Sequence, residues 1–454
     1  MVEACTVVPA ASAYVICDVR FPGRCGLVGP RGRNYAGEVT LEDPTPPRLH
    51  ATTVEIADPG SLTALLPRTD AHAWIRYGDG MVGWGEVVRH KPASIPDADE
   101  WWSDLCASVV HETSLEQPPA GAGLMAFGTF VFDPANTAAQ SALIVPETIV
   151  GRRAGRAWLT RIGTAPLTSE TLRPQAPADA PRDVAYADGG LSGPAWEAAV
   201  AVAVGRINAG ELDKVVLARD LLAVAGNDID PRWLVTRLAR DYGRCWTYLV
   251  DNLVGATPEL LVRREDGLVT SRVLAGTIRR SGGDNDHDLT AALAQSSKDL
   301  GEHEYAVRSV ARGLSPFCSG MNVPDAPYVL ELPNVLHLAT DVTAVAKPGT
   351  SSLALAAALH PSAAVCGTPT DVARQTISEL EHLDRERYAG PVGWMDARGD
   401  GEWGIALRCG QISETDPRQI RLFAGCGIVA GSDPEAELAE SNAKLVPMRD
   451  ALGE

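Results

Sequence analysis

Two periods of apolar and polar positions divide the chain after residue 195. The run PAWEAAVAVAVGRINAG spaces its apolar residues every three to four positions and stops at Gly210. That spacing and stop predict a helix. The next run, KVVLARDLLAV, is rich in β-branched residues and reads as a strand, as do RCWTYLVDN, LVGATPELLVRRE and GLVTSRVLAGTIRR. One long helix is expected over HDLTAALAQSSKDLGEHEYAVRSVARGL, then a strand at VLHLATDVTAV, helices at SSLALAAALH and TDVARQTISELEHL, strands through PVGWMDARGDGEWGIALRCGQI and IRLFAGCGIVAG, and a last helix from about Pro434. Upstream, AHAWIRYGDGMVGWGEVV, GLMAFGTFVFDP and SALIVPETIVG are short strand-like pieces divided by Gly and Pro turns. Strands outnumber helices, and many follow one another as hairpins. The pattern therefore predicts an α+β protein with antiparallel sheets rather than a doubly wound fold. Residues 163 to 195, rich in Pro, Ala, Ser and Gly, read as a long surface connection.

Composition narrows the classes. At 454 residues, 45% hydrophobic and 22% charged, the chain matches an ordinary globular protein of two or three average domains, or one large β-rich enzyme. A formal net charge of −18 argues against nucleic-acid or anionic-membrane partners, both of which need a basic face. An anionic substrate would have to be held by a local exception to that field. The start, MVEACTVVPAASAYVICDV, lacks a basic leader region and no apolar run approaches membrane-spanning length, so a cytoplasmic protein is expected. Nine scattered cysteines without CxxC spacing suit reduced thiols.

Four carboxylates carry the most chemical information. Asp299 and Glu302 in KDLGEHE, and Glu437 and Glu440 in EAELAESNAK, are two pairs with i,i+3 spacing in helix-like stretches. Each pair shares one helix face. Such pairs are commonly solvated faces, but two aimed at one point would suit a hard cation such as Mg²⁺. Lys214 opens a β-branched strand and is either an exposed strand-end lysine or, if buried, a general base. Glu259 in GATPELLV is a turn carboxylate or the matching general acid. Arg408 could grip a carboxylate with two parallel hydrogen bonds or form a structural ion pair. His337 is a satisfied core histidine or a site residue. The glycines of LAGT (Gly276, followed by Thr277) and FAGCG (Gly425, Gly427) permit close backbone approach, yet no nucleotide fingerprint or phosphate loop is present.

The order of these motifs is more specific than any one of them. KVVLAR, TPELL, LAGT, KDLGEHEYAV, HLATDV, LHPSAAVCGTP, DRERYAGPVGW, ALRCG and FAGCGIVAGSDPEAELAESNAKL together resemble the chorismate-utilising enzyme family, over about residues 190 to 450. Its members include isochorismate, salicylate, anthranilate and aminodeoxychorismate synthases. The resemblance implies one large α+β domain like anthranilate synthase component I, with two packed antiparallel β-sheets surrounded by helices. Residues 1–190 would be a divergent, β-rich N-terminal part of that fold and 191–450 the chorismate-binding catalytic region.

It also implies roles. Mg²⁺ would be held by Glu302 and Glu440, with Asp299 and Glu437 near the metal holding its waters or the substrate; Asp299 is shorter than the glutamate common in relatives. Arg408 and the Gly425 backbone would bind the enolpyruvyl carboxylate, and Gly276, Thr277, His337, Tyr388 and Lys444 would line the substrate. Relatives that add ammonia lack a lysine at position 214 and work with a glutaminase. Its presence here implies water as nucleophile and no glutaminase subunit; relatives are often monomers, and a monomer is expected here. Lys214 would be the base and Glu259 the acid in forming isochorismate. Ala364 and Phe423 resemble the isochorismate synthases, whereas Tyr388 and Leu407 lean towards relatives that go on to eliminate pyruvate and release salicylate. Release of isochorismate is expected, with salicylate synthesis or a non-catalytic chorismate-binding homologue as alternatives.

Overall fold

The protein is described by a computed structural model covering residues 49–164, 172–280, 286–333 and 335–453, together with three short strands between residues 9 and 28. Within these ranges the side chains at 277, 279, 286–287, 297–299 and 302 lie outside the described set. The chain falls into two compact units, Met1–Arg48 and Leu49–Glu454. In the first, Pro9–Ala10, Ala13–Cys17 and Cys25–Val28 form an antiparallel sheet.

The second unit is α+β, as the strand-rich pattern predicts, and is built on two large sheets. One has ten strands in the path Cys318–Asn322, Val335–Ala346, Leu268–Arg279, Leu260–Glu265, Gly401–Ile405, Pro391–Asp396, Met125–Thr129, Ala142–Val145 and Val88–His90, with Tyr328–Glu331 pairing beside Val335–Ala346. The other has thirteen and runs from Ala185–Asp188 through Lys214–Val224, Gln419–Ile428, Cys409–Ile412, Leu253–Thr257 and Trp246–Val250 to the strands between 50 and 163. All pairings in both sheets are antiparallel except His50–Ile56 with Val110–Thr113. Strands from before and after the 163–195 segment neighbour one another in both sheets, as Trp246–Val250 does with Ala71–Arg76.

Local chemistry explains the elements around the site. The helix Gly193–Asn208 buries Trp196, Val200, Ala203 and Ile207, a single stripe at helical spacing, and its Ser192 side chain accepts from the Ala195 N–H. The C-terminal helix, Pro434–Leu452, is capped by Asp433 accepting from the Ala436 N–H and ends at Gly453, whose φ of 101° is open to glycine. The single long helix expected around 287–314 is instead two, Asp286–Gln295 and Ser297–Leu314. Ser296 stands at the break, its N–H on the Leu293 carbonyl and its own carbonyl accepting from Leu300 N–H. Adjacent serines there compete with the helical ladder and favour a cap. The single strand expected over LVGATPELLVRRE is also two, because the chain leaves one sheet at Thr257 and enters the other at Leu260. Pro258 lacks the N–H needed to continue a ladder. Within the expected surface connection, Ala185–Asp188 pairs as an edge strand with Lys214–Val224; residues 165–171 are outside the described set.

A core of large aromatics from both sheets lies beneath the site, including Trp74, Phe127, Tyr248, Trp394 and Trp403, each essentially inaccessible. The indole N–H groups of Trp74 and Trp246 both donate to Glu402 Oε2, at 2.7 and 3.2 Å, so a buried carboxylate of one sheet fastens two strands of the other. Cys106, Cys245, Cys318, Cys366, Cys409 and Cys426 are free thiols.

Candidate active site

The site forms where the backbone passes between the sheets. Residues 257–260 carry the chain from the thirteen-stranded to the ten-stranded sheet, and residues 405–409 carry it back. Glu259 sits on the first crossing and Arg408 on the second. The two are tied together, since Ile405 N–H donates to the Glu259 carbonyl and Ala256 N–H to the Arg408 carbonyl, each at 3.2 Å. Arg408 adopts φ of 50°, a left-handed conformation that a non-glycine residue holds only under surrounding constraint. The constraint is visible: Tyr248 Oη donates to the Leu407 carbonyl at 3.1 Å, and Ala389 N–H donates to the Ala406 carbonyl at 2.9 Å.

A cavity of about 150 Å³ opens at this seam. Lys214, at the start of its strand, and Glu259 line it together, each 6% exposed. From the ten-stranded sheet come Gly276 and His337; from the crossing come Leu407 and Arg408. Ala364, Tyr388, Phe423 and Gly425 also line it, and Glu437, Glu440 and Lys444 enter from the C-terminal helix. Tyr388 and Phe423 stack at 5.2 Å with their planes 10° apart. A Cβ on Gly425 would lie 3.0 Å from both the Leu217 carbonyl oxygen and Tyr388 Oη, so a larger residue there would press on the neighbouring strand and on the tyrosine. Of the residues singled out from sequence, Thr277, Asp299 and Glu302 have side chains outside the described set.

Electrostatics sorts these groups by the charge they carry. Burial pushes the Glu259 carboxyl up to about 8, against the pull of Lys214, Lys444 and Arg408. At neutral pH it therefore holds a proton it can donate. His337 is driven well below its ordinary range by burial and by the Arg408 and Lys444 cations. It is neutral, and its Nε2 accepts from Arg408 Nη2 at 3.3 Å, which leaves the ring proton on Nδ1. Lys444 stays protonated: burial works against the ammonium, but Cys426 and Glu440 beside it outweigh that effect. Its Nζ donates to the Gly425 carbonyl at 2.8 Å and pairs with Glu440 at 2.7 Å. In a chain of net charge −18, this cavity brings the Arg408 and Lys444 cations together beside a protonated Glu259. It is the local exception an anionic substrate requires.

One edge of the cavity suits a divalent cation. The ligand atoms of Glu437, Glu440 and Cys426 lie within 4.8 Å of one another, with both carboxylates on one face of the C-terminal helix. Paired carboxylate oxygens opening on a substrate cavity are the donor set that Mg²⁺ prefers.

Two features escaped the sequence reading. Cys426 lies beside the acids, fully buried, with its thiol donating to the Glu437 carbonyl at 3.4 Å. Glu381 and Arg385 form a buried pair at the cavity, which Arg385 itself lines. Arg385 donates to the carbonyls of Val216 and Val365, and Glu381 accepts from Ala218 N–H, so the pair fixes the Lys214 strand against the Ala364 turn. Their i,i+4 spacing in ELEHLDR was the available signal.

Comparison with known proteins gives a consistent picture. Residues 74–453 match the family model described as chorismate binding enzyme. The isochorismate synthase DhbC of Bacillus subtilis is 41% identical over 261 residues, 55% of this chain and 65% of that relative. The isochorismate synthase EntC of Escherichia coli is 37% identical over 249 residues, 54% of this chain and 63% of that relative. Each match thus spans just under two thirds of the curated relative's length. Among solved structures, MenF, the menaquinone-specific isochorismate synthase of Escherichia coli, superposes with a TM-score of 0.73 at 25% identity, covering 89% of this chain and 95% of that one.

Proposed function

We propose that this chain, which belongs to the chorismate binding enzyme family, is a Mg²⁺-dependent isochorismate synthase. The observation that carries the reading is the meeting of Lys214 and a neutral Glu259 in one cavity that also holds the Arg408 and Lys444 cations. Chorismate carries two carboxylates, which Arg408 and Lys444 are placed to receive. In this reading Lys214 takes a proton from water as the oxygen bonds to ring C2. The ring double bonds shift, the C4–oxygen bond breaks, and Glu259 gives its proton to the departing hydroxyl. Water enters and water leaves, so the reaction is an isomerisation. Positioned acid–base groups of this kind contribute roughly 10²–10⁴-fold each.

Glu440, with Glu302 as its expected partner, would hold the Mg²⁺, and Glu437 beside Glu440 would hold its waters or the substrate. The ion supplies charge neutralisation for the ring carboxylate when bound. Tyr388, Phe423, Ala364 and Leu407 form the wall that decides whether the enolpyruvyl arm folds over the ring. With alanine at 364, and phenylalanine at 423 stacked against Tyr388, we assign release of isochorismate without pyruvate elimination. The same reading assigns this chemistry to residues 191–450, treats 1–190 as a divergent part of the fold, and takes the enzyme to act in the cytoplasm as a monomer without a glutaminase. No helix among the described residues is long and apolar enough to cross a membrane.

Incubation with chorismate and Mg²⁺ followed by chromatography tests the proposal. Isochorismate alone is expected. Salicylate with pyruvate would reassign the product, a requirement for ammonia would reassign the nucleophile, and binding without turnover would leave a chorismate-binding protein.

A further inference from the structure

We propose that Ser362 is a positioning residue for Glu259, acting through a single water held in a small cavity behind the carboxyl group. The inference rests on Glu259 serving as the general acid, as proposed above. A void of about 10 Å³ lies on the far side of the active-site wall, and Glu259 and Ala364 line both it and the main cavity. That is about the room one water molecule needs. Ser362 also lines the void, is 93% buried at 7% exposure, and its Oγ has no hydrogen-bond partner among the described residues. A buried hydroxyl without a protein partner is normally satisfied by an ordered water.

The polar groups around the void meet that need. A buried water wants two to four partners. Ser362, Glu259 and Ser271 all line the space; Ser271 Oγ donates to the Leu261 carbonyl at 2.7 Å and keeps its lone pairs to accept. Ser362 is itself fixed, because its carbonyl accepts from Val365 N–H and Cys366 N–H in the turn that presents Ala364. The water would donate to the Glu259 oxygen that does not carry the transferred proton. It thereby holds the carboxyl plane towards the substrate and stabilises the carboxylate once the proton has left.

The charged groups facing Glu259 from other elements are Lys214, Lys444 and Arg408. On the far side Arg272, which also lines the void, is engaged by Asp341 at 2.7 and 2.9 Å. All of these remain when Ser362 is changed, so the substitution isolates the relay.

Ser362→Ala, Ser362→Thr and Glu259→Gln are compared for kcat, KM and the pH dependence of kcat, with thermal melts as a check on folding. A hydrogen bond to a group that becomes charged is worth roughly ten- to hundredfold. Ser362→Ala is therefore expected to lower kcat about tenfold or more with KM nearly unchanged. The alkaline limb of its kcat profile should move to higher pH, because the carboxylate has lost a donor; Ser362→Thr should restore both. A wild-type kcat in Ser362→Ala, or a lowered kcat with an unmoved limb, overturns the relay. If Glu259→Gln is inactive while Ser362→Ala is unaffected, the acid assignment stands and the relay fails; a fully active Glu259→Gln removes the assignment itself. Should Ser362→Ala not fold, a crystal structure of the wild-type protein decides: density for a water within about 3.2 Å of Ser362 Oγ and a Glu259 oxygen supports the relay, and its absence overturns it.

Discussion

Replacing Glu259 with glutamine should abolish turnover and at the same time make the protein more stable as pH rises. Glu259 is buried at 6% exposure, and its carboxyl is raised from 4.5 to about 8 by loss of solvent. A carboxyl raised in the folded state contributes stability that is whole below its unfolded value and is lost as pH climbs through its folded value. The unfolded chain ionises above about 4.5 and the folded protein resists until about 8, so wild-type stability should decline between those limits. Each whole pH step is worth about 1.36 kcal/mol, which gives about 3 kcal/mol at pH 7 and a ceiling of about 5 kcal/mol above pH 8. Glutamine keeps the shape and titrates in neither state. Every other group titrates alike in both proteins, so the difference between their stability curves belongs to this side chain. Denaturation of both proteins at pH 5, 7 and 8.5 measures it. Near pH 5 the two should differ little, and by pH 8.5 the variant should lead by a few kcal/mol. A stability difference that is flat across this range would refute the claim that the cavity holds this carboxyl neutral.

Three other perturbations test separate parts of the site. Lys214→Ala should reduce kcat by roughly 10²–10⁴-fold while chorismate still binds, as read by steady-state kinetics and calorimetry; normal turnover would remove the lysine from the role of base. Arg408→Lys loses the planar fork and the hydrogen bond to His337, and should raise KM by about tenfold or more, since a lysine cannot make two parallel bonds to a carboxylate. Glu402→Ala strands the indole N–H groups of Trp74 and Trp246 between the sheets and should destabilise the protein by about 3 kcal/mol, seen as a lower denaturation midpoint.

What could be read before any coordinates divides along physical lines. Elements governed by local periodicity were legible: the Trp196 to Ile207 stripe defined its helix, and β-branched density defined the strand from Lys214 to Val224. Pro258 hid a boundary, because a proline within a strand-like run is equally an edge or an end, and only the pairing partners show that the chain changes sheets there. Ser296 hid another, since a cap in the middle of an amphipathic pattern leaves the pattern intact. The acid pair on the C-terminal helix was visible from spacing, but Cys426 beside it was not, because it comes from a separate strand and meets Glu437 only through the packing of helix on sheet. Likewise nothing local marks Ser362: its significance lies in a void shared with Glu259, more than a hundred positions away along the sequence.

The two backbone crossings have a wider consequence. A proton donor and a carboxylate anchor ride on adjacent stitches that sew one layer to the other, so their separation is governed by how the layers slide rather than by any loop. Substitutions among the indole rings sandwiched beneath, which do not line the upper cavity directly, should then register in catalytic rates as readily as in melting temperatures. Surveys of variant activity in this protein ought to find a second hot zone along that seam.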